Sequence, residues 1–172
     1  MEWNYYKKNI ITKDIIKRCD ITPIFENPKV FNNLIKDLLK PFKKNQIDKI
    51  IAIDSLGFIL GTAIARKTKK PLVLIRKKGK LPLKKEKLLS GDFTDYTKKK
   101  KGFEIKKDSI KRGDKILLVD EWVETGTQIK TAIKLIEKLG WIIIGISTIY
   151  IDINKNTKIL IEKYKINSIK KS

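Results

Sequence analysis

Apolar positions along this chain follow two alternating rhythms. Val30, Phe31, Leu34, Ile35, Leu38 and Leu39 come after Asn27-Pro28 at spacings of three and four, which marks one buried helical face, and Pro41 ends the run. Ile47 to Ile53 is instead a short apolar stretch interrupted by one charged pair, which predicts a buried strand. Asp54-Ser55-Leu56-Gly57 turns the chain, and Phe58 to Lys67 recovers helical spacing with the small residues Gly61, Ala63 and Ala65. Pro71 to Ile75, Lys115 to Val119 and Trp141 to Tyr150 read as further strands, and Thr125 to Leu139 as a helix with Ile129, Ala132, Ile133, Ile136 and Leu139 on one face. Asn156 to Ser172 fits either a short helix or a strand. Strands that alternate with helices predict an α/β fold: a single domain over residues 1–172, with a central parallel sheet flanked by helices and a site at the carboxyl ends of the strands.

Leu83 to Lys111 breaks the rhythm. It is polar, carries Lys98-Lys99-Lys100-Lys101, and alternates weakly near Leu88 to Phe93 and Phe103 to Lys107, which predicts a long excursion in the form of a two-stranded flap. Met1 to Tyr6 lacks a signal core, and no apolar run approaches the ~20 residues that span a bilayer, so a soluble cytoplasmic protein is expected. One cysteine, Cys19, and no histidine exclude an intrachain disulfide and a His-based triad, and direct any metal towards oxygen ligands. The net charge of +21 would attract a polyanion such as nucleic acid. Lysine is spread over ordinary helix exteriors, including Lys130, Lys134 and Lys138, which favours a compositional bias over a dedicated nucleic-acid surface.

Four loops at predicted strand ends hold the unusual chemistry. Asp54-Ser55-Leu56-Gly57 lets backbone approach an anion, although a strand-to-helix turn is most often only a turn. Arg76-Lys77-Lys78-Gly79-Lys80 groups four cations beside a glycine, a pattern shared with solvated charge runs. Asp95 and Tyr96 stand in the lysine-rich flap. The fourth is the most specific. Adjacent Asp120 and Glu121 repel each other at the end of a buried strand and so need a partner such as a pair of sugar hydroxyls. The Thr125-Gly126-Thr127 turn after them opens a helix, whose N-terminus suits a phosphate.

Together these segments resemble the type I phosphoribosyltransferases, and among them the adenine-specific branch. The family hallmark of a hydrophobic strand, two acids and a Thr-Gly turn is matched by Ile116 to Thr127. Cys19-Asp20-Ile21-Thr22-Pro23-Ile24-Phe25 with Asn27-Pro28 resembles an Arg-Asp-Ile-Ser-Pro element, Asp54 to Phe58 an Asp-Ser-Arg-Gly-Phe loop, and Leu74 to Pro82 is a near-complete match. The similarity is collinear from about residue 19 to residue 150.

The resemblance implies transfer of ribose 5-phosphate from phosphoribosyl pyrophosphate (PRPP) to N9 of a purine, adenine foremost, giving AMP and pyrophosphate in purine salvage. Mg2+ would be held mainly through PRPP, and the protein would be a cytoplasmic homodimer. It implies that Asp54 and Ser55 bring backbone groups to the pyrophosphate through a non-proline cis peptide, with Arg76, Lys77 and Lys80 supplying charge. Asp120 and Glu121 would hold the ribose hydroxyls, and Glu124, Thr125, Gly126, Thr127 and Gln128 would cradle the 5-phosphate. Asp95, in the flap at 83–111, would assist proton movement at the base. Lys17, Cys19, Leu56 and Trp122 would border the base beneath a hood built from residues 1–27 and the tail. Trp122 fits stacking near substrate and packing under the phosphate loop equally well.

The chain departs from the adenine-branch pattern at the phosphate turn, where Glu124 and Gln128 flank the motif, and at Cys19 and Leu56, where the family has arginines. Glu124 is expected to point away from the phosphate, for instance onto a lysine, or else the loop has changed its ligand. These departures and the charge motivate a second reading, a regulator or nucleic-acid-binding protein of the same fold that senses PRPP or nucleotide without transfer; its mark would be strongly salt-dependent RNA or DNA binding.

Overall fold

The computed structural model describes residues 1–12, 19–94, 99–109 and 111–172, so the expectations placed on Lys17 and Asp95 lie outside the described residues. The N-terminal arm consists of α1 (Trp3–Lys7), a minimal ladder of β1 (Ile11–Thr12) with β2 (Cys19–Asp20), and α2 (Thr22–Glu26). The body follows as α3 (Pro28–Leu39), β3 (Lys49–Ile53), α4 (Gly57–Thr68), β4 (Leu72–Lys77), β5 (Leu88–Thr94), β6 (Lys100–Lys106), β7 (Lys115–Val123), α5 (Thr127–Lys138), β8 (Ile142–Ile151), α6 (Lys155–Lys163) and β9 (Ile166–Lys171).

Seven strands form one sheet in the order β5-β6-β4-β3-β7-β8-β9. The five from β4 to β9 in that order are parallel, and the hairpin β5–β6 joins the edge of β4 antiparallel. Central β3 is buried from Ile50 through Ile53 because helices cover both faces. The apolar stripes of α3 and α4 pack on one face with Tyr6, Ile21 and Ile24 of the arm. On the other face Ile129, Ala132, Ile133 and Ile136 of α5 and Leu160 of α6 meet the hairpin residues Phe93, Phe103 and Ile105. Tyr6 fastens the arm to α3: its buried hydroxyl donates to Asp37 Oδ2 at 2.5 Å, and Asn33 Nδ2 donates to the Tyr5 hydroxyl at 3.0 Å. Among the described residues no helix is long and apolar enough to cross a membrane.

Several boundaries differ from the periodicity. β7 runs on to Val123 because longer β8 pairs with it to the end, Asp120 with Thr148 and Trp122 with Tyr150, so the two acids lie within the strand rather than after it. α5 starts at Thr127, since Gly126 is left-handed at φ 78° and cannot belong to a right-handed helix. The ambiguous tail is a helix and then a strand, divided at Tyr164. The polar segment after Leu83 forms the two expected strands, and its inward side chains complete the core against α5, where Gly91 admits Thr131 and Leu135 at contact distance.

Candidate active site

The acid pair is the most constrained part of the site. Asp120 is 5% exposed, and its Oδ1 accepts the N–H of Glu121 at 2.9 Å. Burial first, and then the neighbouring Glu121 carboxylate, push the Asp120 pKa well above the ordinary carboxylate value. Glu121 Oε2 is buried with no hydrogen-bond partner. A buried acceptor without a donor costs about 1–3 kcal/mol unless something fills it, so a ligand carrying hydroxyl donors gains at this spot.

The turn after β7 presents its donors. Thr125 Oγ1 and Thr127 Oγ1 are hydrogen-bonded to each other at 2.5 Å, and α5 begins at Thr127 with its first N–H groups unused by the helix. Asn154 Nδ2 donates to the Glu124 carbonyl at 2.8 Å and Asn156 Nδ2 to the Thr125 carbonyl at 3.3 Å. Among the described residues no lysine pairs with Glu124, contrary to the first of the two alternatives expected for it, and Glu124 borders the cavity described below.

At the end of β3 the Asp54–Ser55 peptide is cis, as the resemblance implied. The Asp54 carboxylate faces the cations of the next loop, accepting from Arg76 Nε at 3.1 Å and lying 3.5 Å from Lys77 Nζ. It therefore organises the positive loop and leaves backbone groups for an anion. Gly57 lets this loop reach the acids, since a Cβ there would lie 3.2 Å from Asp120 Oδ1 and from the Val119 carbonyl. The cation loop is tied in turn to the hairpin, with the N–H of Leu81 donating to buried Glu104 Oε1 at 2.6 Å.

These parts border one cavity of about 200 Å³. Its polar lining is Asp54, Asp120, Glu121, Glu124, Thr125, Gly126 and Gln128, and its apolar lining includes Cys19, Leu56 and Trp122, so ten of the expected site residues meet there. Arg76, Lys77 and Thr127 reach it only through Asp54 and Thr125, whereas Ser55 and Lys80 are exposed and outside the lining. Burial pushes the Cys19 thiol pKa up, so this residue presents a neutral wall where the adenine branch has an arginine.

Ile21, from the motif that begins at Cys19, also borders the cavity, as do Trp3, Ile10, Ile149 and Tyr150, which have no distinguishing pattern in the sequence. Trp122 and Tyr150 lie 4.7 Å apart with their planes tilted by 46°, and Trp3 meets Tyr150 edge-on at 6.0 Å. Trp122 thus sits in the cavity wall. Asp20 accepts from the N–H of Thr22 at 2.9 Å and its hydroxyl at 2.7 Å, which fastens the start of α2 and places Cys19 and Ile21 beside that wall.

A buried acid pair, a phosphate-type turn and a cation loop at the carboxyl ends of parallel strands define a nucleotide-handling transferase of the doubly wound class. The sequence profile of the phosphoribosyl transferase domain matches residues 21–171, and the chain belongs to that family. Among its relatives is the adenine phosphoribosyltransferase of Clostridium botulinum, 36% identical over 157 residues that cover 91% of this chain and 89% of the relative. The crystal structure of adenine phosphoribosyltransferase from Thermoanaerobacter pseudethanolicus superposes with a TM-score of 0.87 at 31% identity, covering 98% of this chain and 99% of that one. The enzyme from Giardia lamblia complexed with 9-deazaadenine gives a TM-score of 0.87 at 26% identity, covering 100% and 98%.

Proposed function

We propose that this protein is an adenine phosphoribosyltransferase of purine salvage, converting adenine and PRPP to AMP and pyrophosphate. The observation that carries this reading is the single cavity in which partnerless Glu121 Oε2, the Thr125-Gly126-Thr127 turn and the aromatic wall meet. The ribose hydroxyls donate to Asp120 and Glu121, and the 5-phosphate takes the N–H groups and hydroxyls at the start of α5. The C1′–oxygen bond breaks with its electron pair leaving on pyrophosphate, and N9 of adenine forms the new bond to C1′ while its proton departs. Arg76 and Lys77, gathered by Asp54, stabilise the charge that develops on the leaving group. Trp122, Leu56 and Cys19 border the base.

Carboxylate, hydroxyl and amide groups line the polar side, and among the described residues no group of three or more acids, cysteines or histidines forms a metal cage. The carboxylates of the lining suit a hard cation that arrives with PRPP, and Asp120 and Glu121 would be the residues to hold it. When bound, Mg2+ supplies charge neutralisation at the pyrophosphate. A cytoplasmic homodimer rests on the family resemblance.

The test is a panel of radiolabelled adenine, hypoxanthine, guanine and xanthine with PRPP and Mg2+. AMP from adenine is the expected product, and added EDTA should stop its formation. Folded protein that converts none of the four bases overturns the proposal.

A further inference from the structure

We infer that the short segment from Asp152 to Asn156, which contributes nothing to the cavity lining, is a positioning clamp that sets the base wall with one arm and the phosphate turn with the other. The inference rests on the transferase reading above.

The first arm is Asp152. It follows β8 directly, and its N–H continues the ladder to the Val123 carbonyl at 3.0 Å. Its Oδ2 accepts the indole N–H of Trp122 at 3.2 Å, and its Oδ1 lies 3.4 Å from Ser172 Oγ, which accepts the Tyr150 hydroxyl at 2.7 Å. The polar ends of both aromatic side chains are therefore gathered at one carboxylate and one hydroxyl, while the two rings pack against each other in the cavity wall. An indole with its N–H engaged loses the freedom to swing about its side-chain torsions, so the slot offered to a planar base has a fixed width.

The second arm is the asparagine pair. Asn154 Oδ1 accepts the N–H groups of Asn156 and Thr157 at 2.9 and 3.2 Å, capping α6, and its Nδ2 holds the Glu124 carbonyl. Asn156 Nδ2 holds the Thr125 carbonyl, and its Oδ1 accepts from Lys130 Nζ at 2.8 Å. In a trans peptide the C=O and the following N–H point in opposite directions. With the carbonyls of Glu124 and Thr125 drawn towards α6, the N–H groups of Thr125 and Gly126 face away from it and are free for an anion. Gly126 fits because a Cβ there would meet Thr157 Cγ2 at 3.3 Å. Both asparagines use the two ends of their amides, so neither side chain can turn without breaking the other contact.

The two arms fail separately in this arrangement. Asp152→Ala should raise KM for adenine about tenfold, roughly one hydrogen bond's worth, and leave KM for PRPP within about twofold. Asp152→Asn, which keeps an acceptor for the indole, should restore it. Asn154→Ser keeps a capping oxygen but cannot span to Glu124, so KM for PRPP should rise about tenfold with KM for adenine unchanged. Melting temperatures and tryptophan emission accompany each measurement. Only Asp152→Ala should red-shift the emission, through the freed Trp122. The two KM values moving together, or neither moving in variants that melt like wild type, overturns the clamp. If wild-type protein turns over no purine, the transferase reading fails. The clamp is then decided by calorimetric binding of PRPP alone, which Asn154→Ser must weaken and Asp152→Ala must not.

Discussion

Replacing Asp120 with asparagine raises the melting temperature of the unliganded protein at pH 7 and lowers kcat/KM for PRPP by roughly two orders of magnitude, the equivalent of one or two lost charge-assisted hydrogen bonds. The two effects share a cause. Asp120 is held in a buried place, beside a second carboxylate, so its pKa in the folded chain lies well above its value in the unfolded chain. A carboxyl shifted in that direction contributes fully to stability below about pH 4, the unfolded value, and loses the contribution as the pH climbs through the raised folded value. Asparagine does not titrate, and its oxygen can still accept the Glu121 N–H. The gap in melting temperature between variant and wild type should therefore widen from pH 4 upwards. A variant that is less stable than wild type at pH 7 would contradict the burial argument. Wild-type PRPP kinetics in the variant would contradict the ribose-binding role.

Gly61→Ala should be strongly destabilising although it adds a single methyl outside the site. A Cβ at Gly61 would lie 2.5 Å from the Cβ of Ala52, which is fixed to the backbone of β3 and cannot swing aside. Alanine gains about 1 kcal/mol in helix propensity over glycine, whereas overpacking a full core costs typically 1–3 kcal/mol and here requires the whole helix to lift. Steric cost wins, and a lower midpoint in urea is the expected reading. Activity should fall further than stability alone explains, because α4 begins at Gly57, directly behind the Asp54 loop, and catalytic geometry tolerates little displacement. Chemical denaturation and PRPP kinetics on the same preparation separate the two losses. A variant as stable as wild type would show that the helix can shift freely.

The parallel body and the chemical loops were legible because their signals are local. Apolar runs in β3, β4, β7 and β8 end in Asp54, Arg76, Asp120 and Tyr150, and the adjacency of Asp120 and Glu121 is visible in the chain itself. What escaped depends on distant partners. Asn154 is an ordinary helix cap until the fold brings the Glu124 carbonyl to its amide, thirty residues away in the chain. Tyr150 is the last aromatic of a strand until Trp122 is laid beside it by the register of β7 with β8. α1 carries too few residues to show a period, and the contact of Tyr6 with Asp37 is what holds it. For Glu124 only its charge is legible in the sequence, whereas the fold holds this residue by its carbonyl and keeps it at the cavity.

The division of the cavity lining between chain segments has a consequence for how the protein can change over evolutionary time. The groups that face the sugar phosphate in the proposed function come from loops rooted in β3 and β7 at the centre of the sheet, where a substitution disturbs both cores at once. Much of the apolar lining, which faces the base in the proposed function, comes from the N-terminal arm, through Trp3, Ile10, Cys19 and Ile21. Drift in the arm can thus re-specify the accepted base in a lineage while the donor half is inherited intact, and libraries confined to these four positions are the economical place to select a new acceptor.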